Sequence, residues 1–76
     1  MQVKVYVTLK NGVLDPQGHA VAKTLRRTGC PEAEGVRIGK YIELEVKDGT
    51  AKAKIEDMCR QLLANTVIED FRVELP

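Results

Sequence analysis

The chain opens on a period of two. Val3, Val5, Val7 and Leu9 alternate with Lys4, Tyr6 and Thr8, and β-branched residues in that rhythm predict a strand with one buried face. Asn11-Gly12 supplies a turn. From Asp15 the period lengthens to that of a helix, with Asp15 as N-cap and Pro16 at the first helical position. Val21 and Leu25, with Ala22 and Thr28 beside them, form its apolar stripe, and Lys23, Arg26 and Arg27 take the wet side. Gly29 is placed to end the helix as a left-handed cap, and Pro31 prevents a restart.

A second helix is predicted over residues 50 to 64, entered from the Asp48-Gly49 turn with Thr50 as cap. Ala51, Ile55, Met58, Cys59 and Leu62 fall on one face of it, and Asn65 is the expected left-handed terminator. Phe71, Val73 and Leu75 then alternate with Arg72 and Glu74 as a last strand. The pattern describes one α+β domain over residues 1 to 76. It predicts a two-layer sandwich, ferredoxin-like in part, with two helices on one face of an antiparallel-type sheet.

Residues 36 to 46 are the most informative stretch. Val36, Ile38, Ile42, Leu44 and Val46 all fall on even positions. A two-residue hairpin at Gly39-Lys40 would produce the split strand order of the ferredoxin-like fold. Against it, the first arm would be only about three residues long, and the even phase runs through the turn unbroken. One continuous strand of about eleven residues would reach ~36 Å, longer than a compact domain of this size can cover. Its exposed edge would need another subunit, so the fold is expected to be completed by dimerisation. Gly39 would mark a bend or bulge along that strand.

Size points the same way. A domain of 76 residues sits near the lower limit for independent folding, where disulfides, metals or partner chains are common supports. Two cysteines, Cys30 and Cys59, with a single histidine make no plausible zinc set. Without a secretory segment before them, they suggest a reducing compartment and are expected to pack as small hydrophobes. Partner chains remain. The charge is balanced at +1, with no Trp and only three aromatics, which argues against a nucleic-acid surface. No apolar run approaches the ~20 residues that span a bilayer, so a cytoplasmic location is expected.

Catalytic chemistry is hard to find. No glycine-rich phosphate loop matches a known fingerprint, and the chain contains no serine. A cysteine paired with His19 has no spacing to orient it. His19 sits in the first turn of helix one, where Gln17 and Gly18 leave the start uncrowded for an anion or a partner carboxylate. Gly18 weakens a helix by about 1 kcal/mol relative to Ala, which suggests a close backbone contact there. Lys40 shares the apolar parity of Ile38 and Ile42. It is expected either to snorkel off the sheet or to pair across a subunit interface with a carboxylate such as Glu56 or Asp57. Tyr41 faces the other way and suits an interface core. Glu43, Glu45, Glu69, Asp70 and Glu74 read as a solvated acidic face. Catalytic, metal and cofactor residues are therefore expected to be absent. The interface candidates are Asp15, Gln17, His19, Gly39, Lys40, Tyr41 and Ile42.

Four segments together resemble one family. They are Val-Tyr-Val-Thr-Leu-Lys (5 to 10), Gly-Val-Leu-Asp-Pro-Gln-Gly (12 to 18), Val-Arg-Ile-Gly-Lys-Tyr-Ile-Glu-Leu (36 to 44) and Met-Cys-Arg-Gln-Leu-Leu-Ala-Asn-Thr-Val-Ile-Glu-Asp-Phe (58 to 71). In order and at the expected length, they are similar to the PurS family, the small subunit of phosphoribosylformylglycinamidine (FGAM) synthase. Thr66 stands where the family often has proline, and Cys30 where it tends to carry an aromatic. The resemblance implies a non-catalytic homodimer in de novo purine biosynthesis that brings a large synthase subunit and a glutaminase subunit together and supports ammonia transfer. It implies no cofactor on this chain, ATP and magnesium being used by the large subunit. The rival reading from the residues alone is a dimeric ferredoxin-like domain that senses a small ligand between its subunits.

Overall fold

The computed structural model describes all 76 residues. Strand β1 (Gln2–Leu9) is followed by α1 (Pro16–Arg27), β2 (Gly39–Glu45), α2 (Lys52–Met58) and β3 (Glu69–Glu74). The three strands form one antiparallel sheet in the order β2-β1-β3. The fold is thus α+β, with the predicted succession of elements. The valine strand is central because its alternation is the strictest: Val3, Val5 and Val7 are fully buried. Val5 lies opposite Ile42 on one side and Val73 on the other, while Val7 faces Lys40 and Phe71.

Helix α2 covers this face, placing Ile55 and Cys59 against the valines with no exposure of either. Its end departs from the sequence reading. Residues Cys59–Leu63 form a π turn, closed by the amide of Ala64 donating to the carbonyl of Cys59 at 2.9 Å. A π turn holds more residues than an α turn. It swings Leu62 outward, leaving it 86% exposed, and brings Leu63 and Ala64 onto the core in its place. Thr50 does not cap the helix: its hydroxyl donates to the carbonyl of Lys47, and Ala51 occupies the cap position without a side-chain bond. Asn65 is not left-handed. Its side-chain oxygen accepts from the amide of Val67 and turns the chain toward β3 instead.

No hairpin forms at Gly39-Lys40. Pairing runs without interruption from Thr8 opposite Gly39 to Gln2 opposite Glu45, so the even phase belongs to a single extended segment. Its paired part is seven residues long. Residues 33 to 38 continue outside the sheet and lie along α1. No bulge is needed at Gly39, which begins the pairing where a Cβ would stand 2.5 Å from the carbonyl oxygen of Val7.

The largest departure from a compact sandwich is α1. It begins as predicted, with the Asp15 carboxylate accepting from the amide of Gly18 and Pro16 in the first turn, and Gly29 follows it at φ +111°. Yet none of its residues joins the core cluster, and α2 alone backs the sheet. Helix α1 and residues 33 to 38 form an arm that leaves the sheet at the end of β1 and the start of β2. The radius of gyration is 15.6 Å, against roughly 11 Å for a compact chain of this length. The long axis reaches 48 Å. Cys30 is exposed, so only Cys59 packs as a small hydrophobe.

Candidate functional site

The root of the arm is a polar knot built by Asp15. One carboxylate oxygen accepts from the amide of Gly18 at 2.8 Å and the other from the amide of Ile38 at 2.9 Å. The side chain is only 10% exposed. Arg37 reinforces it, with its Nε 3.9 Å from Asp15 and its Nη2 donating to the carbonyls of Leu9 and Lys10 at 2.6 and 3.2 Å. One aspartate thus caps α1 and anchors the returning chain, while one arginine ties both to the end of β1. Gly18 makes the contact close enough, since a Cβ there would lie 2.2 Å from the carbonyl oxygen of Val36. The expectation that this glycine serves a near backbone contact is met.

The amide of Ile38, then that of Gly18, then the charge of Arg37 hold the Asp15 carboxyl below its ordinary value. A depressed folded-state value means the ionised form stabilises the knot. That stabilisation is fully present above the unfolded carboxyl value of about 4 and is lost as pH falls through the lower folded one. The arm should therefore loosen below pH 4. Amide exchange at Ile38 followed by NMR from pH 6 to pH 2.5 should show protection falling, and Asp15→Asn should lack the acid-dependent part of that fall.

Beside the knot lies an open cleft of about 400 Å³, lined by Leu9, Leu14, Asp15, Pro16, Gln17, Ile38, Gly39, Lys40 and Glu69. Here the two segments singled out from sequence meet: the helix start supplies Asp15 and Gln17, and the β2 start supplies Gly39 and Lys40. Lys40 does sit on the helix-covered face, but its partner lies within the chain. Its ammonium is 3.9 Å from Glu69 and 3.5 Å from the carbonyl of Leu63, so it reaches water past the end of α2 and pairs with neither Glu56 nor Asp57. His19 is exposed one step along α1 and outside the cleft. Ile42 packs toward the core opposite Val5.

Tyr41 stands on the opposite, uncovered face of the sheet. Its ring lies 5.2 Å from that of Tyr6, and the Arg72 guanidinium lies 4.3 Å from the Tyr6 centroid. These three residues occupy one rung across all three strands. Sequence reasoning placed Tyr41 correctly but missed Arg37, Glu69 and the Tyr6–Arg72 stack. Each depends on strand register, which alternation within one segment does not determine. The structure groups no set of histidine, cysteine and acidic residues able to hold a metal ion. The thiol of Cys59 is pushed up, by burial first and then by the charge of Glu56, which makes it a poor nucleophile.

An elongated chain with an exposed arm, a sheet backed on one face and two polar junctions is equipped for contact with other chains. Comparison with known proteins gives that contact a context. Residues 2–76 match the family described as PurS: Phosphoribosylformylglycinamidine (FGAM) synthase. The chain is 51% identical over 76 residues to phosphoribosylformylglycinamidine synthase subunit PurS of Bacillus subtilis, covering 97% of this chain and 90% of the relative. A solved structure of B. subtilis PurS superimposes with a TM-score of 0.87 at 51% identity, over 96% of this chain and 94% of that one. A chain from the structure of PurLQS from Thermotoga maritima superimposes with a TM-score of 0.78 at 28% identity, over 97% and 96% of the two chains.

Proposed function

This chain belongs to the PurS family of FGAM synthase subunits, and from that premise we propose that it is the non-catalytic small subunit that assembles the synthase of de novo purine biosynthesis. The observation that carries the reading is the unfinished shape. A 76-residue chain whose first helix stands off its own sheet leaves Leu14 and Val21 82% and 41% exposed. Strand β2 is an edge, and unpaired strand edges invite another chain. A second copy that lends its arm to this edge would restore the fourth strand and second helix of a ferredoxin-like layer, so the working unit is a homodimer.

In this reading the dimer brings a large synthase subunit and a glutaminase subunit together. Glutamine-derived ammonia must be kept from water and protonation on its way between them, and a subunit that seals the junction contributes without reacting. ATP and magnesium belong to the large subunit, and this chain holds no cofactor. The cleft at the arm root, where Lys40 and Glu69 meet Gln17, is the part of the surface where both the dimer and the assembly would be felt.

The reading is checked by combining the purified chain with the large and glutaminase subunits. Light scattering on the dilute chain should give twice the monomer mass, and a complex of all three subunits should form with glutamine and nucleotide present. Lys40→Ala should lower glutamine-dependent turnover several-fold while leaving ammonia-dependent turnover near its starting rate. A stable folded monomer, or equal loss of both activities with the complex intact, would count against it. A dimeric small-ligand sensor would instead show a thermal shift with a purine intermediate or an amino acid while alone.

A further inference from the structure

The open face of the sheet is built unlike a solvated face. Two of the chain's three aromatic residues lie on it, while its core is made of valine, isoleucine, cysteine and alanine. Its residues fall into cross-strand rungs: Gly39–Thr8–Asp70, then Tyr41–Tyr6–Arg72, then Glu43–Lys4–Glu74, then Glu45–Gln2. The second rung is a stack of two rings and a guanidinium, pre-ordered by ring–ring and cation–π contacts. Tyrosine and arginine are the residues in which interface binding energy concentrates. A stack already held in place loses little side-chain freedom on binding.

The charge around the stack limits what can cover it. Glu43, Glu45, Asp70 and Glu74 surround it against Lys4 and Arg72 alone. Two copies of this face placed together would bring two net-acidic surfaces into contact, and like-charge juxtaposition across an interface costs several kcal/mol. The face is therefore unsuited to self-association. It is also separate from the arm and from the helix-covered side that the proposed dimer would use.

We propose that the open face, centred on the Tyr41–Tyr6–Arg72 rung, is the docking surface for a different protein chain presenting a basic patch. Within the assembly function proposed above, on which this inference rests, that chain is one of the other two synthase subunits. The stack supplies the desolvated centre and the flanking carboxylates supply orientation. The same chain then keeps two non-competing surfaces: the arm and β2 edge for its own copy, and the open face for the basic partner.

The test measures binding of the intact chain to the purified large subunit and to the glutaminase subunit, by calorimetry at low and high salt. Tyr41→Ala and Glu45→Lys should each weaken binding to one of the two by tenfold or more. Both variants should retain the melting temperature and the self-associated mass of the unaltered chain. Tyr41→Phe, which keeps the ring, should restore most of the loss, and the effect of Glu45→Lys should shrink at high salt. If the unaltered chain binds and all variants bind equally well, this inference is overturned while the assembly reading stands. Loss of self-association in Tyr41→Ala or Glu45→Lys would overturn it too. If the unaltered chain binds neither subunit, both the inference and the assembly reading fall.

Discussion

Ile55→Ala should leave the chain largely unfolded at 37 °C. Ile55 is fully buried and is the largest side chain that α2 inserts among Val3, Val5 and Val7. Truncating a buried isoleucine to alanine costs about 2–5 kcal/mol, the transfer loss plus the cavity left behind. A chain of 76 residues has roughly 4–11 kcal/mol of total stability to lose. The cavity has little chance to collapse, because the central valines are held by pairing on both sides and the π turn fixes the far end of the helix. At about 4–8 °C per kcal/mol for a domain of this size, the melting temperature should fall by roughly 10–30 °C. Circular dichroism on heating measures it. A drop of less than 5 °C would mean that α2 is not the helix that holds the sheet.

Gly18→Ala should also be damaging, and its sign is the informative part. In an exposed helix interior the exchange is favourable by about 1 kcal/mol. Here the new methyl would stand 2.2 Å from the Val36 carbonyl oxygen and 2.7 Å from the Asp15 carboxylate, well inside contact distance. Both groups belong to backbone or to a side chain fixed at two amides, so neither can yield cheaply. The returning segment must move away from α1, and the Ile38-to-Asp15 bond stretches with it. The sheet and α2 share no core residue with the arm, so the lesion should stay local. We expect a folded sheet with a small change in melting temperature, fast amide exchange at Ile38 and loss of self-association. A variant that dimerises like the unaltered chain would show that the arm plays no part in the dimer.

The two variants mark the boundary of what the pattern of residues could reveal. Strand identity, the Asp15-Pro16 helix start and the terminating Gly29 were legible because each depends on neighbours a few positions away. The unbroken phase through Gly39 was legible for the same reason. The end of α2 was not, because a π turn changes the residue count per turn and no local signal announces it. Leu62 was accordingly assigned to the core that Leu63 occupies. Half of the candidate site was readable: Asp15, Gln17, Gly39 and Lys40 do converge, although Lys40 pairs with Glu69 and not with a helix carboxylate. That pairing, the Arg37 clamp and the Tyr6–Arg72 stack are products of register between strands more than thirty residues apart in the chain. The stand-off of α1 escaped because its stripe reads as if it faced its own sheet. An amphipathic helix states that it needs a cover, not which chain provides it.

The central position of β1 sets the order in which the molecule can be made. The first strand synthesised pairs only with segments around residues 39 to 45 and 69 to 74. At about 5–20 residues per second, several seconds separate the appearance of Val3, Val5 and Val7 from that of Phe71 and Val73. During that interval three alternating valines have no native neighbour on one side or on either, a sequence type prone to pairing with other unfinished strands. Lys4 and Thr8, set between and after the valines, interrupt the run with a charge and a hydroxyl, the kind of residue that discourages such pairing. The strand that organises the finished sheet is thus also the nascent chain's most vulnerable stretch, and part of its polar face serves it before the fold exists.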